Sequence, residues 1–450
     1  MRIRVLETPE LGNRSYLVDD GTIGVVIDPQ RDLDRLDPLL EHDVSHVLET
    51  HVHNDYVTGG LELARRTGAA YGVNAADEVA FSRLPLVDGE QLRSGSLSIC
   101  VLATPGHTPT HLSYVVRDLA DPAAPAALFS GGSLLYGTVG RTDLVSPERT
   151  RELAAAQHAS AQRLGALPGD VSLYPTHGFG SFCAGGGSSG AAESTIADER
   201  SHNLALVTTS VSEFVDLLVE SFTAYPAYYS HMAGINAAGP SSLDLGVPLR
   251  PAPASDVGRL IASGATVIDL RPAEAFAASH LSGTVSVNLG DQFATYVGWI
   301  VPWGRPLVVL GSDSAQLEAA RRQLLRIGIE DVTSAWGSVA DLAPHSVVRS
   351  GYRRATFEDL ATDLAVDDMV LDVRRADEFA SGRVRGAVNV PVHEIESRHG
   401  ELPEGARVWV HCAGGFRAGT AASLLEGHGF EVVHVDDGFD RAVELGLVED

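Results

Sequence analysis

An internal repeat limits what this chain can fold into more than any other feature. The stretch 267–276 (VIDLRPAEAF) recurs at 370–379 (VLDVRRADEF), 103 positions later, and the register continues through Gly283 and Gly386 and through Val285 and Val388. Two copies of one unit of about a hundred residues therefore fill the C-terminal half. Each copy reads as a buried apolar strand (266–270; 369–373), a helix, a second buried strand (307–310; 408–410), then a loop and a helix. Fully apolar strands alternating with helices indicate a parallel α/β layer, which carries its sites on loops at the strand C-termini.

The remaining N-terminal part is organised differently. Short β-rich runs at 24–28, 45–49, 98–103, 127–130 and 172–175 are separated by turn signals and by helical stretches at 61–67 and 149–164. This also is an α/β pattern. A Gly/Ser-rich stretch at 184–192 reads as a mobile surface loop, and a Gly/Pro-rich stretch at 236–254 as a linker. With 450 residues and about 150 per domain, roughly three domains are expected. They are placed at 1–240, 255–345 and 350–450.

Composition excludes several chemistries. All 33 basic residues are arginine, so no side-chain amine exists for a Schiff base, a Walker loop, a kinase strand lysine or a Ser-x-x-Lys pair. The formal net charge of −26 argues against tracking nucleic-acid phosphates or an anionic membrane surface. Codon bias accounts for the arginines more simply than function does. The N-terminal stretch lacks the apolar core of a signal peptide, and no run approaches the ~18 apolar residues of a membrane span. Cys100, Cys183 and Cys412 are odd in number and scattered, which is no disulfide framework. A reducing, cytoplasmic setting is expected, and self-association is left open.

Histidines collect at strand ends. THVHND, from Thr50, follows directly on a strand, and if the chain stays extended His51, His53 and Asp55 project to one side. His107 lies in TPGHT and His177 in PTHG, each just beyond another strand. Imidazoles at the ends of several strands of one layer are where a metal site is built.

THVHND, TPGHT, SGGSLLYGTVGRTD and PTHG resemble the metallo-β-lactamase fold, in the branch with glyoxalase II and the persulfide dioxygenases, over about residues 1–235. The resemblance implies an αββα sandwich. The family pattern is HxHxDH, and Tyr56 stands where its last histidine belongs; Gly132 stands where a metal-bridging aspartate belongs. A two-metal hydrolase needs both residues. The resemblance leaves a set of His51, His53 and His107 for one mononuclear metal ion, with iron(II) favoured over zinc. In persulfide dioxygenases two histidines and the aspartate hold iron; His51 and His107 map onto those histidines. His53 or Asp55 then substitutes for the carboxylate, or water fills its position, or the reaction is lost. Arg141 is a candidate for gripping an anionic thiol substrate, and equally for a structural pair with Asp143.

In the second repeat a strand ends at His411 and is followed by Cys412-Ala413-Gly414-Gly415-Phe416-Arg417 and a helix at 418–425. Adjacent glycines turn amides inward into an anion-binding nest, the helix start adds positive potential, and Arg417 adds charge. All three stabilise a thiolate or a persulfide anion. Cys-x4-Arg after a strand resembles the rhodanese domain, whose cysteine carries sulfane sulfur. Related phosphatases have one residue more between Cys and Arg, so the six-residue loop favours sulfur as cargo. Ala418 departs from the usual Ser or Thr. The first copy has Gly311-Ser312-Asp313 at the corresponding place and no cysteine, so it is expected to be catalytically silent.

The resulting expectation is a metallo-β-lactamase-fold domain followed by two rhodanese-like parallel α/β domains. In it Cys412 handles sulfane sulfur, Arg417 and the loop 413–416 hold the anion, and the metal oxidises a low-molecular-weight thiol persulfide. Thiosulfate is the other candidate substrate. Three competitors remain: a rhodanese-type sulfurtransferase whose N-terminal domain only binds, a non-enzymatic persulfide carrier, and a two-metal thioester hydrolase. Cys183 is read as a core residue ahead of a sulfur relay.

Overall fold

In a computed structural model the chain forms two compact units, one made of residues 1–246 with 325–328 and the other of 247–324 with 329–450. The structure describes residues 1–186, 191–247, 249, 251–337, 339–342 and 349–449.

The first unit is an αββα sandwich. One sheet takes β1 (Arg2–Thr8), β2 (Asn13–Asp19), β3 (Ile23–Ile27), β4 (Asp43–Leu48), β5 (Ala70–Asn74) and β6 (Leu84–Leu86) in sequence order, antiparallel to β3 and parallel from there on. The other combines β7 (Gln91–Ser94), β8 (Leu97–Ala103), β9 (Leu112–Asp118), β10 (Ala127–Gly131) and, beyond the short β11 (Val139–Gly140), β12 (Ser172–Pro175), in the order β12-β10-β9-β8-β7. Side-chain alternation builds the layers. In β2, Tyr16 and Val18 face the inter-sheet core with Ile99, Tyr114 and Phe129, while Leu17 faces outward onto Leu61 and Ala64 of helix Gly60–Thr67. On the far side Leu128 and Leu173 pack against helices Thr150–Gly165 and Val211–Glu220 through Ala161, Leu164, Phe214 and Leu218. Each such fully buried side chain contributes about 1.5–3 kcal/mol.

Two parallel sheets make up the second unit. One has the order 285–286, Thr266–Asp269, Leu307–Gly311, Val332–Trp336; the other has Arg353–Ala355, Glu431–Val435, Arg407–His411, Met369–Asp372, Val388–Asn389. The repeat is reproduced atom for atom at one point. Arg271 grips Asp269, and Arg374 grips Asp372, with the same three distances of 3.0, 3.0 and 2.6 Å. Each arginine also caps a carbonyl eight residues on, Ser279 and Gly382 respectively. The repeated Asp-x-Arg is thus a buried clamp on the strand end.

Two expectations for connecting segments need adjustment. In the stretch 184–192, Ala184–Gly185 pairs antiparallel with β11, and 187–190 lie outside the described residues. At 236–254, helix Tyr229–Ala238 runs into its start and helix Ala254–Ala262 begins at its end. Among the described residues no helix is long and apolar enough to cross a membrane.

Candidate functional site

The ends of β3, β4, β8, β10 and β12 open on one edge of the sandwich, and the loops beyond them carry Asp28, His51, His107, Gly132 and His177. All five are buried, the four polar ones at 2% exposure or less. His51, His107 and His177 each offer a ring nitrogen, and the three atoms lie within 4.8 Å of one another.

Hydrogen bonding sets the tautomer of each ring. Thr50 Oγ1 donates to Asp28 Oδ2 at 2.8 Å and so accepts from His51 Nδ1 at 2.9 Å. His107 Nδ1 donates to the Arg141 carbonyl at 2.7 Å. His177 Nδ1 donates to Asn13 Oδ1 at 2.9 Å, because Asn13 turns its amide nitrogen to Asp55 at 2.7 Å. The three Nε2 atoms are therefore bare lone pairs. His107 Nε2 has no hydrogen-bond partner, and His51 Nε2 faces His177 Nε2 at 3.4 Å. Two lone pairs that close repel each other in a dry site. Two nitrogens bound about 2.1 Å from a tetrahedral ion stand about 3.4 Å apart, so the donor set fits a cation. Back-side bonds to Thr50, Arg141, Asn13 and Asp55 are the outer partners a metal-binding imidazole needs.

Electrostatics agree with that use. Burial, reinforced by the neighbouring imidazoles, holds His51 far below its ordinary range and His107 down to about 3, so both are neutral and ready to ligate. For Asp55, burial pushes the carboxyl up, but His177 and Asn13 outweigh it and bring it down to about 2.

His53 stands beside His51, ring centroids 4.1 Å apart, but offers a nitrogen to two other groups that could hold an ion, one with Asp55 and His177 and one with Asp28 and Glu49. The chain does not stay extended after β4; residues 50–56 form bends. His53 Nε2 turns to Asp28 at 3.2 Å and Glu49 at 3.1 Å, and the Tyr56 hydroxyl meets the same nitrogen at 2.9 Å. Burial opposes charge on this ring, yet the two carboxylates lift it to about 10, so it is an imidazolium in an ion-pair network. His177 takes its place in the trio. The residue that displaces the family's last histidine, Tyr56, stacks on His53 at 4.3 Å and helps hold it there.

His111 also reaches the site and had no strand-end position to mark it. Its Nε2 accepts from Gly132 N at 2.9 Å and its ring stacks on His51. Arg141 is committed to structure. Its Nε and Nη2 clamp Asp143 at 2.7 Å each, and Nη1 and Nη2 cap the carbonyls of Phe182 and Thr223. With Arg141 itself 2% exposed, it is not placed to grip a substrate. Cys183 is fully buried, and burial pushes its thiol well up.

Cys412 follows strand Arg407–His411, the central strand of its sheet. Its Sγ accepts from Gly415 N at 3.1 Å, and Gly415, at φ 89°, is the N-cap of helix Phe416–Gly427 without a side-chain cap. His434 Nε2 donates to the Gly415 carbonyl at 2.9 Å and so holds the peptide unit between Gly415 and Phe416. The left-handed φ of 89° is what calls for glycine at 415, and a Cβ there would also displace the Asp436 carboxylate. The uncapped helix start adds positive potential to the cradle. Ala413 and Gly414 are exposed, while Cys412 is 2% exposed. Arg417 does not point a free fork at the sulfur; its Nη1 and Nη2 hold Glu378 at 2.5 and 2.8 Å.

Two family models match separate stretches of this chain, one over each site. A model described as the metallo-beta-lactamase superfamily matches residues 8–177, and one described as a rhodanese-like domain matches 355–444. The mitochondrial persulfide dioxygenase ETHE1 of Homo sapiens is 27% identical over 240 residues, which cover 52% of this chain and 81% of that protein. A hydroxyacylglutathione hydrolase of Pseudomonas entomophila is 34% identical over 155 residues, 34% of this chain and 56% of its own length. The crystal structure of a metallo-beta-lactamase from Staphylococcus aureus superposes with a TM-score of 0.66 at 25% identity, over 75% of this chain and 98% of that one.

Proposed function

From a chain that joins a metallo-beta-lactamase superfamily domain to a C-terminal rhodanese-like domain, we propose an enzyme of sulfur metabolism with two centres. The N-terminal domain oxidises a low-molecular-weight thiol persulfide at a single ion held by His51, His107 and His177. Cys412 takes up or delivers sulfane sulfur. The division into modules 1–240, 255–345 and 350–450, with the middle one silent at Gly311-Ser312-Asp313, belongs to the same reading.

The observation that carries the reading is the convergence of three bare Nε2 atoms whose other nitrogens are all tied back. Imidazoles suit iron(II) and zinc alike, and oxidation by oxygen calls for iron. Such an ion would supply oxygen activation and a Lewis-acid position. The protein's own residues orient the three imidazoles and hold those of His51 and His107 neutral. The net reaction balances as RSSH + O₂ + H₂O giving RSH, sulfite and two protons. At Cys412 the thiolate attacks the outer sulfur of RSSH, a new S–S bond forms, the donor S–S bond breaks, and RS⁻ leaves with the electron pair. Gly415 N–H and the helix start stabilise the anion on either side of that exchange.

The test is metal content of protein purified under low oxygen, followed by oxygen uptake with glutathione persulfide. About one iron per chain and uptake abolished in His51→Ala are expected. An iron-loaded protein that consumes no oxygen overturns the oxidative half. A second reading is favoured by Gly132 and Tyr56, which remove the second metal set: a sulfurtransferase whose N-terminal domain only binds substrate. Substoichiometric metal with Cys412-dependent thiocyanate formation intact would select it.

A further inference from the structure

The Asp-x-Arg clamp is present in both copies of the repeat, so it belongs to their shared framework. One acidic residue bonded to the cysteine loop is not shared. Glu378 lies in the stretch 370–379, and the matching position of the first copy, 103 residues earlier, is Ala275. The copy without a cysteine is thus also without this carboxylate.

Glu378 extends from the short helix Ala376–Ala380, beyond strand Met369–Asp372, which pairs with the strand that ends at His411. Its two oxygens take both terminal nitrogens of Arg417, at 2.5 and 2.8 Å, and Oε2 also accepts from Arg375 N at 3.2 Å. Burial pushes the Glu378 carboxyl up, but Arg417 and Arg375 outweigh it, so the group is charged. Arg417 lies two residues after Gly415, whose N–H meets Cys412 Sγ at 3.1 Å. Side-chain exposures of 12% for Arg417 and 22% for Glu378 leave the pair little screened by salt.

Two neighbouring arginines are spent in the same way. Arg375 Nε holds Asp377 at 3.0 Å, and Arg354 holds Asp436 at 2.6 Å. Asp436 itself stands against Gly415, where a Cβ would strike its carboxylate. The sulfur is therefore served by an amide and a helix start, while these side-chain charges cancel in pairs.

Donors of sulfane sulfur differ in the charge they bring. A thiol persulfide reacts as Cys412–S⁻ plus RSSH giving Cys412–S–SH plus RS⁻, with a single negative charge throughout. Thiosulfate reacts as Cys412–S⁻ plus S–SO₃²⁻ giving Cys412–S–S⁻ plus SO₃²⁻, with three. In each step a new S–S bond forms at Cys412, the donor S–S bond breaks, and the leaving group takes its electron pair. The triply charged assembly calls for an uncommitted cation far more than the singly charged one.

We propose that Glu378 is a specificity-determining residue of the Cys412 site: by occupying the fork of Arg417 it disfavours dianionic thiosulfate and leaves the cysteine to thiol persulfides. Discrimination comes from a cation withheld rather than from a contact added. The inference rests on the reading of Cys412 as a sulfur carrier.

Glu378→Gln in the full chain tests this, since it keeps the size of the side chain and removes the charge. The rate of sulfur loading on Cys412 is followed by mass spectrometry, with thiosulfate and with cysteine persulfide as donors. The ratio of the thiosulfate rate to the persulfide rate is expected to rise roughly tenfold in the variant, the size of one regained hydrogen bond to a charged group. Glu378→Ala, which frees the fork without offering it a new partner, is expected to raise the ratio likewise. Glu378→Asp keeps the charge and is expected to keep the ratio. A merely structural role would lower both rates together and leave the ratio where it was. A ratio unchanged or lowered in the two neutral variants, or raised as much by Glu378→Asp, overturns the role of Glu378 while leaving Cys412 as carrier. A wild type that takes up no sulfur on Cys412 from either donor overturns the carrier reading and the inference with it.

Discussion

Gly132 lies flat against the imidazole of His107: a Cβ built on it would stand 2.7 Å from His107 Cγ and 3.0 Å from Nε2. Gly140 closes the other side, where a Cβ would come within 2.7 Å of Nδ1. The ring occupies the space that a side chain at 132 would need. Absence of the bridging carboxylate and the position of His107 are one arrangement seen from two ends.

Restoring the family aspartate is therefore expected to damage the site. Gly132→Asp should lower stability by about 1–3 kcal/mol, the usual cost of forcing atoms into a packed interior. It should also lose metal, because His107 is pushed off its Arg141 carbonyl. Thermal melts and metal analysis check this; a second bound ion in the variant would show that the ring can yield.

Asn13 touches no ion, yet it fixes the tautomer of His177 and buttresses Asp55. Loss of such an outer partner typically costs 10–100-fold in metal affinity. Asn13→Ala should fall in that range in a competition titration with a chromogenic chelator, whereas His53→Gln, outside the trio, should change affinity less than His177→Ala does.

The two arginine clamps differ in burial, with side-chain exposures of 18% for Arg271 and 5% for Arg374. Removing one partner of a buried pair strands the other charge, at about 3–5 kcal/mol. Asp372→Ala should approach that loss by chemical denaturation, and Asp269→Ala should lose clearly less because water reaches Arg271.

Acid should weaken the metal-free protein in a window set by its buried histidines. His107 falls from 6.5 unfolded to about 3 folded, by burial and by the nearby His177, and His51 and His111 are lowered in the same direction. Between those pH values the unfolded chain binds protons that the folded chain refuses, so stability rises with pH there. Each such group adds up to about 1.4 kcal/mol per pH unit. Denaturant midpoints of the metal-free protein taken from near-neutral pH downward should fall steadily below 6.5. A flat metal-free profile would contradict the neutral assignment.

Much of the architecture was readable because it depends on local periodicity. Strands at 97–103 and 172–175, the helix Thr150–Gly165 and the twin Asp-x-Arg strands fall where apolar runs and turn residues put them. The site was readable in part. His51, His107 and His177 were visible as strand-end histidines, but their grouping was not, because the bends at 50–56 swing His53 to Asp28 and Glu49, carboxylates with no motif of their own. His111 went unmarked because it precedes its strand. Arg417 looked like a free cation because Glu378, its partner, is distant in sequence.

By itself, then, the amino-acid order determined the two α/β layers, the repeat, the six-residue cysteine loop and the set of histidines available at strand ends. Those follow from side-chain period and from residue type, which are local. Which nitrogen of each imidazole is bare and which arginines are already taken were decided only in three dimensions. Hydrogen-bond partners and burial are relations between residues far apart in the chain, and a side chain is free or spent only once the fold has assigned its neighbours.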